Sequence, residues 1–328
     1  MNGLQKVIKY CAMAFAVFLT VVIFGSIVTV VMGVTTGIAG INFFLDEDKE
    51  RINLTESYSV EEAKELGITR LLVDCNAEIT VKPGTDLSID AEDVTDEYEI
   101  RQANGTFSIV QDIPQIKIGL WFGNTSDREK VTVTVPEELF MEQVKVDSGS
   151  GKVSLETFQT DELVIDSGSG SVTVSEVSTK CINIESGSGR VALMSVNAEE
   201  TGLNTGSGGI SVEDTMLGKL RVNSGSGSVT MRNVLAEKAK VDSGSGSVLV
   251  EGVLTGTCEF ETGSGSLTIR LNGNEEEYLV KAECGSGTFR INGRRKEDGS
   301  YGQNVAGELL IDSGSGSVNV EFNTPEAE

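Results

Sequence analysis

The residues with the greatest chemical potential in this sequence are acids and serines that recur at a fixed spacing. A Ser/Thr-Gly-Ser-Gly motif begins at Ser148 and returns at one constant interval up to Thr262, and two further copies begin at Cys284 and Ser313. The residue before each of the nine motifs carries a side-chain oxygen. These residues are Asp147, Asp166, Glu185, Asn204, Asn223, Asp242, Glu261, Glu283 and Asp312.

Two roles fit this recurring set of mostly acidic side chains. Carboxylate oxygens are the ligands that Ca²⁺ prefers, so stacked copies could form a calcium ladder. Alternatively, each side chain accepts hydrogen bonds from backbone N–H groups of the turn that follows. Calcium-binding nonapeptide repeats have a different period and place Asp after their glycines, which favours the structural role. No metal ligand is therefore assigned.

The third residue of the motif is serine in all nine copies. A serine nucleophile needs a base beside it, and the absence of histidine excludes Ser-His-Asp and Cys-His pairs. Nine equal copies cannot each be an active site, so we interpret these serines as hydroxyls of a tight corner. Phosphate-binding loops also contain Gly-x-Gly, but no helix follows these motifs. The sequence thus predicts no catalytic residue and no cofactor-binding residue.

Apolar residues on both sides of the motif indicate the elements that carry it. Counting the first motif residue as zero, positions −4, −2, +5 and +7 are apolar in 35 of 36 cases, with polar residues between them. Spacing of two is typical of strands. Glycine tolerates positive φ and leaves no Cβ in a crowded corner, so each motif should join two short strands. A second corner is expected at +8 to +12.

The predicted fold class is all-β, a parallel β-solenoid with 19-residue coils, preceded by one transmembrane helix and one short helix. Neighbouring coils would stack about 4.8 Å apart and bury their apolar columns. The spacing Ser59–Glu62 fits a capping box for the short helix. The predicted segments are a cytoplasmic tail (1–9), the transmembrane helix (10–32), a neck or tether with the short helix (33–69), degenerate β-coils (70–143) and the regular Gly-Ser-Gly solenoid (144–328).

The transmembrane prediction rests on residues 10–45, which contain no charged residue. A bilayer core about 30 Å thick needs about 20 apolar helical residues, and this run is longer than the apolar region of a signal peptide. Lys6 and Lys9 precede the run, and Asp46–Asp48 contains three acids. Because Lys and Arg favour the cytoplasmic side, we expect a single-pass protein of the cell membrane with its C-terminal domain extracellular.

The charge of the chain restricts its partners. The sequence has 50 acids and 26 bases, a net charge of −24, which argues against nucleic acid as a partner. The basic run 294–296 lies in the longest interval between motifs, and we interpret it as a solvated loop, with a partner-binding loop as the alternative. Oligomeric state is not predicted.

The cysteines are predicted to be free thiols, although extracellular cysteines commonly pair. The 19-residue register places Cys258 and Cys284 on neighbouring coils but far apart along them, and Cys181 several coils away. A disulfide requires Cα atoms within about 7 Å. Cys11 lies within the predicted span.

The repeated Val-Asp-Ser-Gly-Ser-Gly-Ser-Val pattern resembles a bacterial "putative adhesin" domain of unknown function, a β-repeat family often found behind one N-terminal membrane helix. The strand Val131-Thr-Val-Thr-Val-Pro136 is also similar to that family. The resemblance covers residues 70–323 and implies an envelope protein of a Gram-positive bacterium. It supplies no catalytic residues, and the insertion 294–303 departs from the regular repeat.

These observations predict a membrane-anchored, non-catalytic extracellular β-solenoid for adhesion or cell-envelope scaffolding. Its expected partners are the membrane, through the single span, and a cell-envelope polymer or a surface protein; no cofactor or metal is assigned. The alternative is an envelope-stress accessory or sensor that acts through membrane partners. An enzyme acting on polysaccharides is less favoured, because the acids are evenly spread and no outward Asp-Arg-Lys group stands out.

Overall fold

The computed structural model describes residues 50–112 and 129–323. The chain divides into two units, 1–49 and 50–328, and all of the described residues belong to the second. The predicted transmembrane helix, 10–32, lies outside the described residues. Within 50–112 and 129–323, no helix has both the length and the apolar character needed to cross a membrane.

The described residues form an all-β unit, which confirms the predicted class. The first strands are β1 (Ile52–Tyr58), β2 (Arg70–Asp74), β3 (Glu78–Gly84), β4 (Leu87–Val94), β5 (Tyr98–Ala103), β6 (Thr106–Gln111) and β7 (Lys130–Pro136). Helix α1 (Val60–Glu65) follows β1 and begins at the predicted capping box, in which Ser59 and Glu62 bond each other's backbone N–H groups. Gly67, with φ +63°, follows its end.

The repeat region supplies the remaining strands. In its regular part they are β8 (Met141–Ser148), β9 (Val153–Ser167), β10 (Val172–Ser186), β11 (Val191–Met194), β12 (Asn197–Thr205), β13 (Ile210–Ser224), β14 (Val229–Ser243) and β15 (Val248–Leu254). The last are β16 (Gly256–Thr262), β17 (Leu267–Asn272), β18 (Tyr278–Cys284), β19 (Phe289–Ile291), β20 (Arg294–Lys296), β21 (Gly299–Tyr301), β22 (Gly307–Ser313) and β23 (Val318–Asn323), with a 3₁₀ turn at Glu275–Glu277.

Strands of the regular part pair in parallel with partners one repeat period away in the chain. Val153 lies opposite Val172, and Ile165 lies opposite Ile184. The apolar columns seen in the sequence face the interior; Val146 and Val222, for example, are 0% exposed. Each coil therefore buries its apolar side chains against its own strands and against the coils above and below it.

Close stacking explains the glycines of the motif. A Cβ on Gly170 would lie 1.8 Å from the carbonyl oxygen of Gly151 in the preceding coil, and one on Gly168 would lie 2.3 Å from that of Gly149. None of the motif glycines has a positive φ. The glycines are needed because consecutive corners touch backbone to backbone, and not because the corner is left-handed.

The left-handed residues lie at the second bend, within the range predicted for it. In five successive coils the residue at position +9 has a φ between 50° and 55°, although none of the five is a glycine. These residues are Thr157, Glu176, Ser195, Asp214 and Asn233. Their polar side chains bond between coils; the Thr157 hydroxyl donates to Glu176 at 2.9 Å, and the Asn233 amide donates to Asp214 at 2.7 Å.

Near both ends of the stack, the spatial order of the coils differs from their order in the chain. Strand β22 lies between β16 and β18, and β23 lies between β17 and β19. At the other end, β2 lies between β6 and β8. The expectation that the Cys258 and Cys284 coils are neighbours is therefore wrong, because the Ser313 coil separates them.

Ion pairs join coils that are neighbours in this exchanged order. Arg270 on β17 bonds Glu251 on one side at 2.6 Å and Glu321 on β23 at 2.8 Å on the other.

All four described cysteines, Cys75, Cys181, Cys258 and Cys284, are free, which confirms the prediction of free thiols for these residues.

Candidate functional site

The oxygen-bearing residues at position −1 form one continuous column across the stack, here called the acidic ladder. Parallel pairing places Asp147 opposite Asp166, Asp166 opposite Glu185, and Asp242 opposite Glu261. The structure adds Asp74 before Asp147, a member that the sequence motif did not reveal. In spatial order the ladder is Asp74, Asp147, Asp166, Glu185, Asn204, Asn223, Asp242, Glu261, Asp312 and Glu283.

A shallow, open groove of about 820 Å³ runs along the ladder. Its floor also includes the first motif residues, such as Ser186 and Thr205, and the glycines that follow them. Seven ladder side chains line it: Asp166, Glu185, Asn204, Asn223, Asp242, Glu261 and Asp312. The groove therefore presents the same kinds of polar group on successive steps of the stack.

The two amides interrupt the acids near the middle of the groove. The Asn223 side-chain amide donates to Asn204 Oδ1 at 2.5 Å, which orients both groups along the stack. Acids flank this pair on both sides, with Glu185 before it and Asp242 after it. The centre of the groove can thus donate hydrogen bonds as well as accept them, whereas its flanks carry negative charge.

Burial and crowding change the electrostatics of two ladder acids. Partial burial raises the pKa of Asp147, and the neighbouring carboxylates of Asp74 and Asp166 raise it further. Burial likewise raises the pKa of Asp242, although Lys240 opposes the shift. One carboxylate oxygen of Asp242, Oδ1, is buried and has no hydrogen-bond partner among the described residues.

Lys240 is a compensating cation beside the ladder. Its Nζ lies 3.0 Å from a carboxylate oxygen of Glu259 and 3.0 Å from one of Glu261. Hydrogen bonds to these two carboxylates, that to Glu261 first, raise the pKa of Lys240 well above its ordinary value, so the ammonium stays charged. The C-terminal part of the groove therefore carries less net charge than the number of its acids suggests.

The predicted role of the ladder in holding the turns is wrong for the regular coils. The turn N–H groups donate instead to the preceding coil: Gly168 N donates to Ser148 O at 2.9 Å, and Ser169 N donates to Gly149 O at 2.8 Å. In the described part of the chain, no three His, Cys, Asp or Glu side chains converge to hold a metal ion. The turns of the regular coils therefore do not use the ladder carboxylates as hydrogen-bond acceptors.

Hydroxyl groups do bond within the corner, but they belong to the first motif residue and not to the serine at the third position, where we predicted them. The buried Ser167 Oγ donates to Gly170 O at 3.1 Å, and Thr205 Oγ1 donates to Gly208 O at 2.9 Å. The serines at the third motif position, such as Ser169 and Ser188, are exposed. The signal for the buried role was the restriction of the first position to Ser, Thr or Cys.

The basic run 294–296 is not the solvated loop that we expected. It forms strand β20, antiparallel to β19, and β21 pairs antiparallel with β18. Lys296 Nζ lies 4.9 Å from the centroid of the Tyr301 ring, which packs against Phe289 with 5.9 Å between ring centroids. This insertion covers the last coil of the stack and places four basic residues, at 290 and 294–296, on one short hairpin.

Comparisons with known proteins place the repeat in a family. No curated protein matches the chain. One similar solved structure is a "putative lipid binding protein" from Parabacteroides distasonis, with 15% identity, a TM-score of 0.46, and coverage of 83% of this chain and 96% of that chain. A "putative adhesin" from Parabacteroides merdae has 11% identity and a TM-score of 0.45, with 84% of this chain and 97% of that chain covered. A "putative cell adhesion protein" from Clostridium sporogenes has 14% identity and a TM-score of 0.25, with 84% of this chain and 100% of that chain covered. The pattern of the Toastrack DUF4097 family matches residues 68–321, and the chain therefore belongs to that family.

Proposed function

We propose that this protein is a membrane-anchored, non-catalytic extracellular β-solenoid that serves adhesion or cell-envelope scaffolding. The observation that carries this proposal is the groove along the acidic ladder, which repeats similar polar groups over successive coils. Coils about 4.8 Å apart present such groups at regular intervals. A linear partner can meet many of them at once, so weak individual contacts add up without a deep pocket.

The same regularity supports a role without catalysis. Catalytic acids and bases are distinguished by environments that push their pKa values apart. Here the two ladder acids with raised pKa values, Asp147 and Asp242, owe the shift first to the same cause, partial burial. They lie on different coils, with several other coils between them. A surface that binds through repeated contacts accounts for this arrangement better than a single reaction centre does.

Co-sedimentation of the full-length chain with isolated cell-envelope fragments tests the groove. The variant Asp166→Lys/Glu185→Lys reverses two exposed groove charges and should lose most of the binding. The control Glu199→Lys/Glu237→Lys makes the same charge change at exposed positions that do not line the groove, and should bind as the parent chain does. Equal loss in both variants would contradict the proposed contact surface.

Membrane anchoring is the second part of the proposal, supported by the uncharged run 10–45 and the charges on its two sides. Protease added outside intact, wall-stripped cells should digest the chain after residue 45. Complete protection of that region, while lysed cells are digested, would contradict the extracellular placement. Deleting 10–32 separates the alternatives: a sensor acting through membrane partners should lose its effect, whereas the groove should keep its ligand.

A further inference from the structure

The hairpin β19–β20 places two arginines directly opposite each other. Asn292 and Gly293 form its two-residue turn, with φ of 48° and 73°, the signs that a type I′ turn requires. In this register Arg290 pairs with Arg295. Residues paired in this way have Cβ atoms about 4.5–5.5 Å apart, and like charges so placed destabilise a sheet.

Several cations elsewhere along the stack have acidic partners on the neighbouring coils. Arg232 lies 3.8 Å from Glu213 and 3.5 Å from Glu251, and Lys219 lies 2.5 Å from Glu200. The other strand neighbour of Arg290, in contrast, is the uncharged Asn319. Among the described residues, no carboxylate lies within ion-pair distance of the basic residues at 290 and 294–296. Among the described residues, the hairpin thus holds four basic side chains without an ion-pair partner, in a chain of net charge −24.

Contacts around the hairpin hold its turn and the Arg290 side chain in place. The side chain of Asn292 accepts from Phe322 N at 2.9 Å and donates to Glu275 at 2.7 Å, which anchors the turn. Phe289 is 2% exposed, and Arg290 Nη1 donates to Thr288 Oγ1 at 3.1 Å. Groups held in place before binding lose less conformational entropy when a ligand arrives.

We propose that the Arg290–Arg295 pair binds phosphate groups of a linear polyanion. Guanidinium groups form paired hydrogen bonds to phosphate oxygens, and two adjacent arginines match one phosphate or two consecutive ones. The anion would also remove the repulsion between the two cations. This site does not line the groove, so it stands independently of the function proposed above.

The surrounding charge favours a thin polymer over an anionic membrane or a second copy of the chain. Glu297 and Asp298 follow the basic run directly and are exposed. A broad anionic surface that reached the arginines would also meet these acids and the acidic face of the stack, which would repel it. A single extended chain of phosphates can contact the hairpin without approaching them.

Protection of a strand edge is the competing explanation. Strand β20 pairs only with β19 in the described residues, and charged residues on such an edge prevent pairing with another molecule. Edge protection predicts self-association when the charges are removed. It predicts no special affinity for phosphate.

Fluorescence anisotropy with labelled inorganic polyphosphate and the full-length chain in detergent tests the proposal. Arg290→Gln/Arg295→Gln should weaken binding about tenfold or more, because it removes two charge-assisted contacts. Arg190→Gln/Arg221→Gln is the matched control: both residues are exposed, lie outside the hairpin and have no ion pair within the described ranges. It should bind within about twofold of the parent chain.

The proposal would be overturned by no polyphosphate binding by the parent chain, by equal weakening in both variants, or by an unchanged affinity with new oligomers of the hairpin variant in light scattering. Binding of the parent chain to anionic lipid vesicles but not to polyphosphate would assign the hairpin to a membrane and would also overturn it. Unchanged thermal melting of the hairpin variant is the check that the fold is retained.

Discussion

At the scale of single residues, the interior column through Val222 shows how strictly the repeat assigns inside and outside. Val222 lies between Leu203 and Val241 on the neighbouring coils and is 0% exposed. Arg221, next to it in the chain, is exposed. Adjacent residues of one strand thus occupy opposite environments.

We therefore expect Val222→Asp to destabilise the protein by several kcal/mol, about the cost of burying an unpaired polar or charged group. Arg221→Asp introduces the same side chain on the outward face and should change stability by about 0.5 kcal/mol or less. Urea unfolding measures both variants. Similar shifts of the two midpoints would show that the column does not face the interior.

Neighbouring glycines provide a second matched pair. A Cβ on Gly208 would lie 1.8 Å from Gly189 O, whereas on Gly209 its nearest contact would be 3.5 Å away, at Ser228 O. Gly208→Ala should force two coils apart and lower the thermal midpoint clearly. Gly209→Ala should be close to neutral, because neither clash nor positive φ opposes it. A tolerated Gly208→Ala would contradict the close stacking of the corners.

The raised pKa of Asp242 implies a dependence of stability on pH. An acid with a higher pKa in the folded state than in the unfolded state costs stability above its folded pKa, and the cost disappears as pH falls from that value towards the unfolded pKa. Asp242→Asn should therefore raise the urea midpoint at pH 7, and the gain should shrink towards pH 4. The same substitution at the exposed Asp312 should produce a smaller gain. An Asp242→Asn chain less stable than the parent at pH 7 would contradict the assignment.

At the scale of elements, much of the coil could be predicted from the sequence, because burial on one face of a strand leaves a period of two. The exchanged coil order could not, since every coil carries the same apolar columns and any coil can stack on any other. The hairpin at Asn292-Gly293 could have been predicted, because the Asn-Gly dipeptide is itself a signal for this turn. The same dipeptide at Asn104-Gly105 forms the same kind of turn, with φ of 51° and 73°. The left-handed residues at +9 had a weaker sequence signal, which was the polar character of their side chains. The groove was foreseen only as a ladder, because its depth depends on packing that the sequence does not show.

The inserted strands β22 and β23 lead to a prediction at this scale. Removing residues 307–328 should leave an unfilled slot between β16–β17 and β18–β19, because both flanking coils lose their partner. Amide hydrogen exchange should then increase in 267–272 and in 278–291, whereas 172–186 should stay protected. If the coils stacked in chain order, the deletion would remove only the last coil, and 256–284 would keep its protection.

At the scale of the whole chain, the two proposed binding surfaces of the described unit, the acidic groove and the basic hairpin, differ in charge. The groove presents carboxylates and amides, and the hairpin presents arginines. Partners of opposite character could therefore occupy the two surfaces together, as the proposed scaffolding role requires. Because exposed charges are screened by salt, binding at both surfaces should weaken as ionic strength rises.

The insertion of β22 and β23 also affects the order in which the chain can fold. In the regular coils each new strand finds its partner in the coil just completed, whereas Cys258 pairs with Leu309, beyond the whole of the coil that follows it in the chain. Contacts with larger sequence separation form more slowly, since the longer loop must close first. The coil of 278–291 cannot settle on its neighbour until 307–323 has been synthesised. The part from 256 to 323 should therefore mature last, after the regular coils have formed as each is completed.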